Sequence, residues 1–172
     1  MFEGIPMKPT VRSRERVKAS GEVFTPPELV NEMLDKLPPE VWIDKAKTFI
    51  DPAAGNGNFL IEVKRRLLAA GRSEVHILEH QLFAIEIMPD NLIELQHRLG
   101  YLINGRPNHK LKFEHFRYEH VTHDACGTIL NEDVLHHRNM VCANALEYDY
   151  SFQRNEDGSD IVETKQKQLL EW

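Results

Sequence analysis

Four residues have types and spacing that invite chemistry: Asp51, Gly55, Gly57 and Glu86. The short run KTFID is rich in strand-forming residues, ends abruptly at DPAAGNG and passes into the helical run FLIEVKRRLLAAG. Glycine lacks a Cβ and adopts positive φ freely, so Gly55 and Gly57 would let backbone amides approach a ligand at the start of the following helix. A lone pair of glycines also serves any tight strand-to-helix turn, and taken alone it decides nothing. Glu86, however, closes the next apolar run, QLFAIEI. A carboxylate there can accept hydrogen bonds from both hydroxyls of a ribose. Glycine turn and strand-end acid together form a nucleoside-binding pattern.

A second group of reactive side chains falls between residues 104 and 138, where His109, His115, His120, His123, His136 and His137 accompany Cys126. Their spacing matches no zinc-finger or knuckle pattern, so they read as polar surface residues with no metal site. Cys142 lies inside an apolar run and reads as a small buried hydrophobe. Two isolated cysteines form no disulfide framework, which points to a reduced, intracellular setting.

The elements that must position these residues follow from local patterning. In TPPELVNEMLDKLPP, Thr25 reads as a helix N-cap, Pro26 as the first helical residue and Glu28 as the third position of a capping box. A helix over 26–37 follows, with Leu29, Val30, Met33, Leu34 and Leu37 on one face, stopped by Pro38 and Pro39. After the KTFID strand, the glycine turn and its helix come the QLFAIEI strand and a helical run, DNLIELQHRLGYLI. Residues 104–138 show no clear period and read as a mixed or irregular insertion. NMVCANALEYDY reads as a third strand with its exit loop. Alternating strands and helices predict an α/β domain with a parallel sheet, whose ligand sits beyond the carboxyl ends of the strands.

The domain spans 21–150, preceded by a basic arm over 1–20 and followed by a tail over 151–172. That tail should close in a helix bearing Ile161, Leu169, Leu170 and Trp172. The arm reads as a solvated lead-in rather than core. A net charge of −6 argues against wrapping nucleic acid by bulk charge, so any DNA contact would go through a partner or the arm. No signal peptide or membrane-spanning run is evident, and a soluble cytoplasmic protein is expected.

At GEVFTPPELV, FIDPAAGNGNFL, FAIEIMPDNL and VCANALEYD the sequence resembles the amino-methylating DNA methyltransferases, in the motif order of adenine-N6 enzymes and type I or type IIG modification subunits. The resemblance implies a Rossmann-like S-adenosylmethionine-dependent fold and a role in restriction-modification. By its residue correspondence, Thr25 and Pro26 would meet the methionine carboxylate end of the cofactor. Asp51, Ala53, Gly55 and Gly57 would line its methionine and sulfonium region, Glu86 would hold the ribose and Ile87 would lie against the adenine. Asn144 stands where the family usually has an aspartate that reads the adenine edge, a task an amide can also perform.

The resemblance further implies a fourth strand ending in Asn, Asp or Ser, two prolines and an aromatic, which would align the target amine and stack on the flipped base. The proline pairs of this sequence, Pro26-Pro27 and Pro38-Pro39, lack those flanks. The expectation is therefore a fold truncated after the third strand, inactive alone, that needs a second methyltransferase subunit or a homo-oligomer for methyl transfer. The competing expectation is a non-catalytic cofactor-binding or decoy protein that docks on a restriction-modification complex. A nicotinamide-dinucleotide domain is disfavoured, because Leu60 occupies the third glycine position of GxGxxG.

Overall fold

The computed structural model describes residues 13–123, 129–152 and 154. Residues 1–12 of the basic arm, Cys126, and Ile161, Leu169, Leu170 and Trp172 of the tail lie outside the described residues.

The described part of the arm is a helix whose residues 13–19 are exposed or half-buried. Helix α1 (Arg14–Ser20) is capped by Ser13, whose hydroxyl accepts from the Arg16 amide, and ends at Gly21 with φ of 71°. Helix α2 (Pro27–Leu34) starts one residue later than expected. Pro26, not Thr25, is its N-cap, Pro27 fills the first helical position, and no side-chain capping bond forms. The helix is also shorter than 26–37, and of the expected apolar face only Val30 and Leu34 are buried. Leu29, Met33 and Leu37 are exposed.

After the single-turn α3 (Glu40–Ile43) come strand β1 (Phe49–Asp51) and helix α4 (Asn58–Ala69). A short turn α5 (Glu74–His76) runs through a π-helical stretch, Ile77–Gln81, into β2 (Leu82–Glu86), which α6 (Pro89–Leu99) follows. Beyond the two-residue strands β3 (Leu102–Ile103) and β4 (Arg106–Pro107), the region expected to be irregular is an ordered antiparallel hairpin, β5 (Phe116–His123) with β6 (Ile129–His137). Inward positions of β5 carry Arg117 and Glu119, and outward ones Tyr118 and His120. Polar residues on both faces hide the two-residue period that usually marks a strand.

The last strand, β7 (Met140–Cys142), completes a parallel sheet in the order β1-β2-β7. The architecture is mixed α/β around this small sheet. Asp51 is in register with Ala84, so β2 extends beyond β1 and lifts Glu86 above the end of the first strand. Leu60, Leu67, Leu82, Leu92, Leu95 and Met140 are buried in the core between sheet and helices. A smaller cluster, Ile85, Val141 and Phe152, covers the opposite face. No helix among the described residues is long and apolar enough to cross a membrane.

Gln96, fully buried on α6, ties the hairpin to this core: its amide donates to the Leu135 carbonyl at 3.0 Å, and its carbonyl accepts the His137 amide at 2.8 Å. His115, His136 and His137 are buried, which corrects the expectation of surface histidines. Cys142, at the end of β7, is half-buried, and burial pushes its thiol up to about 12.

Candidate functional site

The turn after β1 is shaped by local bonds before any ligand is considered. Asp51 Oδ1 accepts the Ala53 amide at 3.1 Å, the Ala54 amide donates to the Ile85 carbonyl at 3.1 Å, and the Gly57 amide donates back to Ala54 at 2.8 Å. Gly55 and Gly57 both take positive φ, 54° and 89°. Their surroundings differ. A Cβ on Gly55 would press on the Phe24 ring at 3.0 Å, in the wall of the site, whereas one on Gly57 would lie 2.1 Å from Leu95 Cδ1. Gly57 is thus demanded by the packing of α4 on α6.

Glu86 is 6% exposed and engaged through both oxygens: Oε2 accepts the Gly55 amide at 2.6 Å and Oε1 the Met88 amide at 2.9 Å. Burial raises its carboxyl above the ordinary carboxylate range, the two amides pull it back, and the nearby charge of Glu22 adds to the rise. Burial likewise raises Asp51, against the opposing Ala53 amide.

The segment preceding α2 forms the facing wall. Asn58, the first residue of α4, donates to the Thr25 carbonyl at 2.9 Å while its Oδ1 accepts both terminal nitrogens of Arg98 at 3.0 and 3.1 Å. Arg98 also donates to the Asn56 carbonyl at 2.6 Å. A buried arginine on α6 thereby sets the glycine turn and, through Asn58, the Thr25 wall. Arg16 of α1 reaches the same region, pairing with Asp90 and donating to Glu22 Oε1 at 2.6 Å.

These walls enclose a cavity of about 650 Å³, a size suited to a nucleoside-type ligand. Of the residues expected from sequence, Thr25, Asp51, Ala53, Gly55, Glu86 and Ile87 line it. Pro26, Gly57 and Asn144 do not. Asn144 instead caps the turn after β7, its Oδ1 accepting the Leu146 amide at 3.1 Å. Sequence reasoning missed Glu22, Phe24, Asn56, Asn58 and Asn91, which also line the cavity. The one available signal was that Glu22 and Phe24 flank TPPE and that Asn56 and Asn58 alternate with the glycines. Three carboxylates, from Glu22, Asp51 and Glu86, face the cavity, and among its described lining residues there is no Lys, Arg or His.

The N-6 DNA methylase family model matches residues 11–99, just over half of the chain and the whole of this cavity wall. The chain belongs to the N-6 DNA methylase family. Among curated proteins none matches it. The Thr25 wall, the glycine turn and Glu86 all fall within the matched span, while the hairpin and β7 lie beyond it.

One cluster stands apart from the cavity. Glu79, His115 and His137 offer ligand atoms within 4.8 Å of one another. Glu79 Oε2 lies 2.5 Å from His115 Nδ1 and 3.5 Å from His137 Nε2, and Oε1 accepts the Lys112 amide at 2.9 Å. His137 Nδ1 accepts the Asn139 amide at 3.2 Å, which leaves the proton of the neutral ring on Nε2, directed at Glu79. A metal-binding imidazole needs the opposite arrangement, its second nitrogen donating outward. The cluster closes on itself as a buried polar network at the root of the hairpin.

Proposed function

We propose that this chain is the S-adenosylmethionine-binding part of a DNA adenine-N6 methyltransferase of the restriction-modification kind, with a Rossmann-like fold. The observation that carries this reading is the cavity wall: three carboxylates and no cation, beyond the carboxyl ends of β1 and β2. A phosphate-bearing dinucleotide would meet like charge there, whereas a ligand with a sulfonium, an ammonium and two ribose hydroxyls finds acceptors. Asn56 strengthens the fit, since its Oδ1 is buried in that wall with no hydrogen-bond partner.

In this reading Glu86 accepts the ribose hydroxyls with the lone pairs left over from Gly55 and Met88, and Ile87 lies against the adenine. Asp51, Ala53 and Gly55 hold the methionine and sulfonium region next to Thr25. The bound cofactor supplies the activated methyl group. The residues of this chain orient it and keep its adenosine half out of water.

Methyl transfer also requires a group that aligns the target amine, and neither Pro26-Pro27 nor Pro38-Pro39 has the flanking residues for that task. We assign it to residues outside this sequence, such as those of a second methyltransferase chain. Strand β1 offers one meeting point: among the described residues it, like β7, pairs on one side only, and unpaired edges invite strand addition. Arg16 is already committed to Asp90 and Glu22, so DNA contact through the arm would fall to other basic residues.

Calorimetry with S-adenosylmethionine, its demethylated product and NAD, beside a labelled methyl-transfer assay on DNA, tests this. Binding of the first two but not NAD, without methylation by the single chain, is expected. Binding of NAD in preference would overturn the cofactor, and robust methylation by a monomer on sizing would overturn the need for a partner.

A further inference from the structure

Glu22 has the setting of a ligand-binding residue. Its side chain is 9% exposed, in the short segment that links α1 to the Thr25 wall, and it lines the cavity. The two carboxylate oxygens are treated differently. Oε1 accepts from Arg16 Nη2 at 2.6 Å and from Asn91 Nδ2 at 2.6 Å, and those two donors hold the carboxylate in place. Oε2 is buried and has no hydrogen-bond partner. A buried carboxylate oxygen without a donor costs free energy comparable to a lost hydrogen bond, so a folded protein rarely keeps one idle.

The position of Asn91 locates the missing donor. The same Nδ2 that holds Glu22 lies 3.5 Å from Glu86 Oε1, so both carboxylates stand at one end of the cavity with a single amide between them. Glu86 is the acceptor assigned above to the ribose, and a ribose presents two neighbouring hydroxyls.

We propose that Glu22 is a second ribose-binding carboxylate, its Oε2 accepting one hydroxyl of the cofactor while Glu86 accepts the other. This rests on the reading of the cavity as an adenosine site. Arg16 then acts as a positioning residue: by holding Oε1 and reaching Asp90 on α6, it presses the Glu22 segment onto the cavity.

The test is competition against S-adenosylmethionine by adenosine, 2′-deoxyadenosine and 3′-deoxyadenosine, on the full chain and on Glu22→Gln, Glu22→Asp and Arg16→Gln. Melting of each ligand-free variant checks the fold. Glu22→Gln should weaken adenosine by roughly tenfold, the usual worth of a hydrogen bond to a charged acceptor. That penalty should disappear with one of the two deoxynucleosides and persist with the other. Arg16→Gln should cost less and follow the same nucleoside selectivity, since it acts through Glu22. A Glu22→Gln penalty that is absent, or identical for all three nucleosides, overturns the proposal while leaving the cavity assignment standing. A penalty seen with S-adenosylmethionine but not with adenosine also overturns it, by assigning Glu22 to the amino-acid end. If the parent protein binds none of these ligands, the cavity reading fails first and this inference with it.

Discussion

Glu86 Oε2 accepts the Gly55 amide at 2.6 Å, so the carboxylate assigned to the ligand is also the clasp that closes the glycine turn. Its removal therefore acts twice. Glu86→Ala should abolish most of the rise in melting temperature that S-adenosylmethionine produces by binding the folded state. It should also destabilise the ligand-free protein by about 1–3 kcal/mol, because the Gly55 and Met88 amides lose their acceptor. Thermal melts with and without ligand separate the two effects, and an unchanged ligand-free melt would show that water replaces the clasp.

The two glycines should fail in different ways. Gly57→Ala drives a Cβ to within 2.1 Å of Leu95 Cδ1 at φ of 89°, so it should cost stability through both overpacking and backbone strain, about 2–4 kcal/mol together. Adding Leu95→Ala, itself worth about 2–5 kcal/mol, should relieve the clash and make the pair clearly less than additive in urea denaturation. Gly55→Ala meets the Phe24 ring instead, and should weaken ligand binding more than it lowers the urea midpoint. Additive losses for Gly57 and Leu95 would contradict the packing explanation.

Asp51 tests a trade between stability and binding. Burial raises its carboxyl in the fold, so its ionisation costs stability as pH rises through the folded value. Asp51→Asn removes the charge and can keep the bond to the Ala53 amide. The ligand-free variant should melt higher than the parent at pH 7, while the shift produced by S-adenosylmethionine shrinks. A lower melting temperature would mean that the Asp51 charge is compensated after all.

The Glu79 network should make the fold acid-sensitive. Burial opposes the charge of Glu79, but His137, the Lys112 amide and His115 outweigh it and hold the carboxyl at about 2, below its ordinary 4.5. Burial pushes His137 down from 6.5 to about 4 against the pull of Glu79. In both windows, 6.5 to about 4 for His137 and 4.5 to about 2 for Glu79, the unfolded chain holds a proton that the folded one refuses. Their contribution is therefore complete above pH 6.5 and is lost on acidification, at up to about 1.4 kcal/mol per pH unit for each proton. Glu79→Gln should flatten the plot of unfolding free energy against pH below 4.5, and curves parallel to the parent would remove the network from the account.

Much of the site was legible in the residues. The strand ending at Asp51, the glycine turn, the helix from Asn58 and the acid closing β2 depend on backbone preferences and periods that act over a few neighbours, and the parallel order follows from their alternation. What tertiary structure alone decided involves partners far apart in the chain. Gly57 is required because Leu95 lies against it, Asn58 turns to Thr25 because Arg98 holds its other end, and Glu22 enters the cavity through Arg16 and Asn91. The hairpin and its buried histidines were hidden for a related reason. Polar side chains satisfied by distant partners, such as His115 and His137 on Glu79, leave no hydrophobic period to read, since burial is then set by hydrogen-bond pairing across the fold and not by the local sequence.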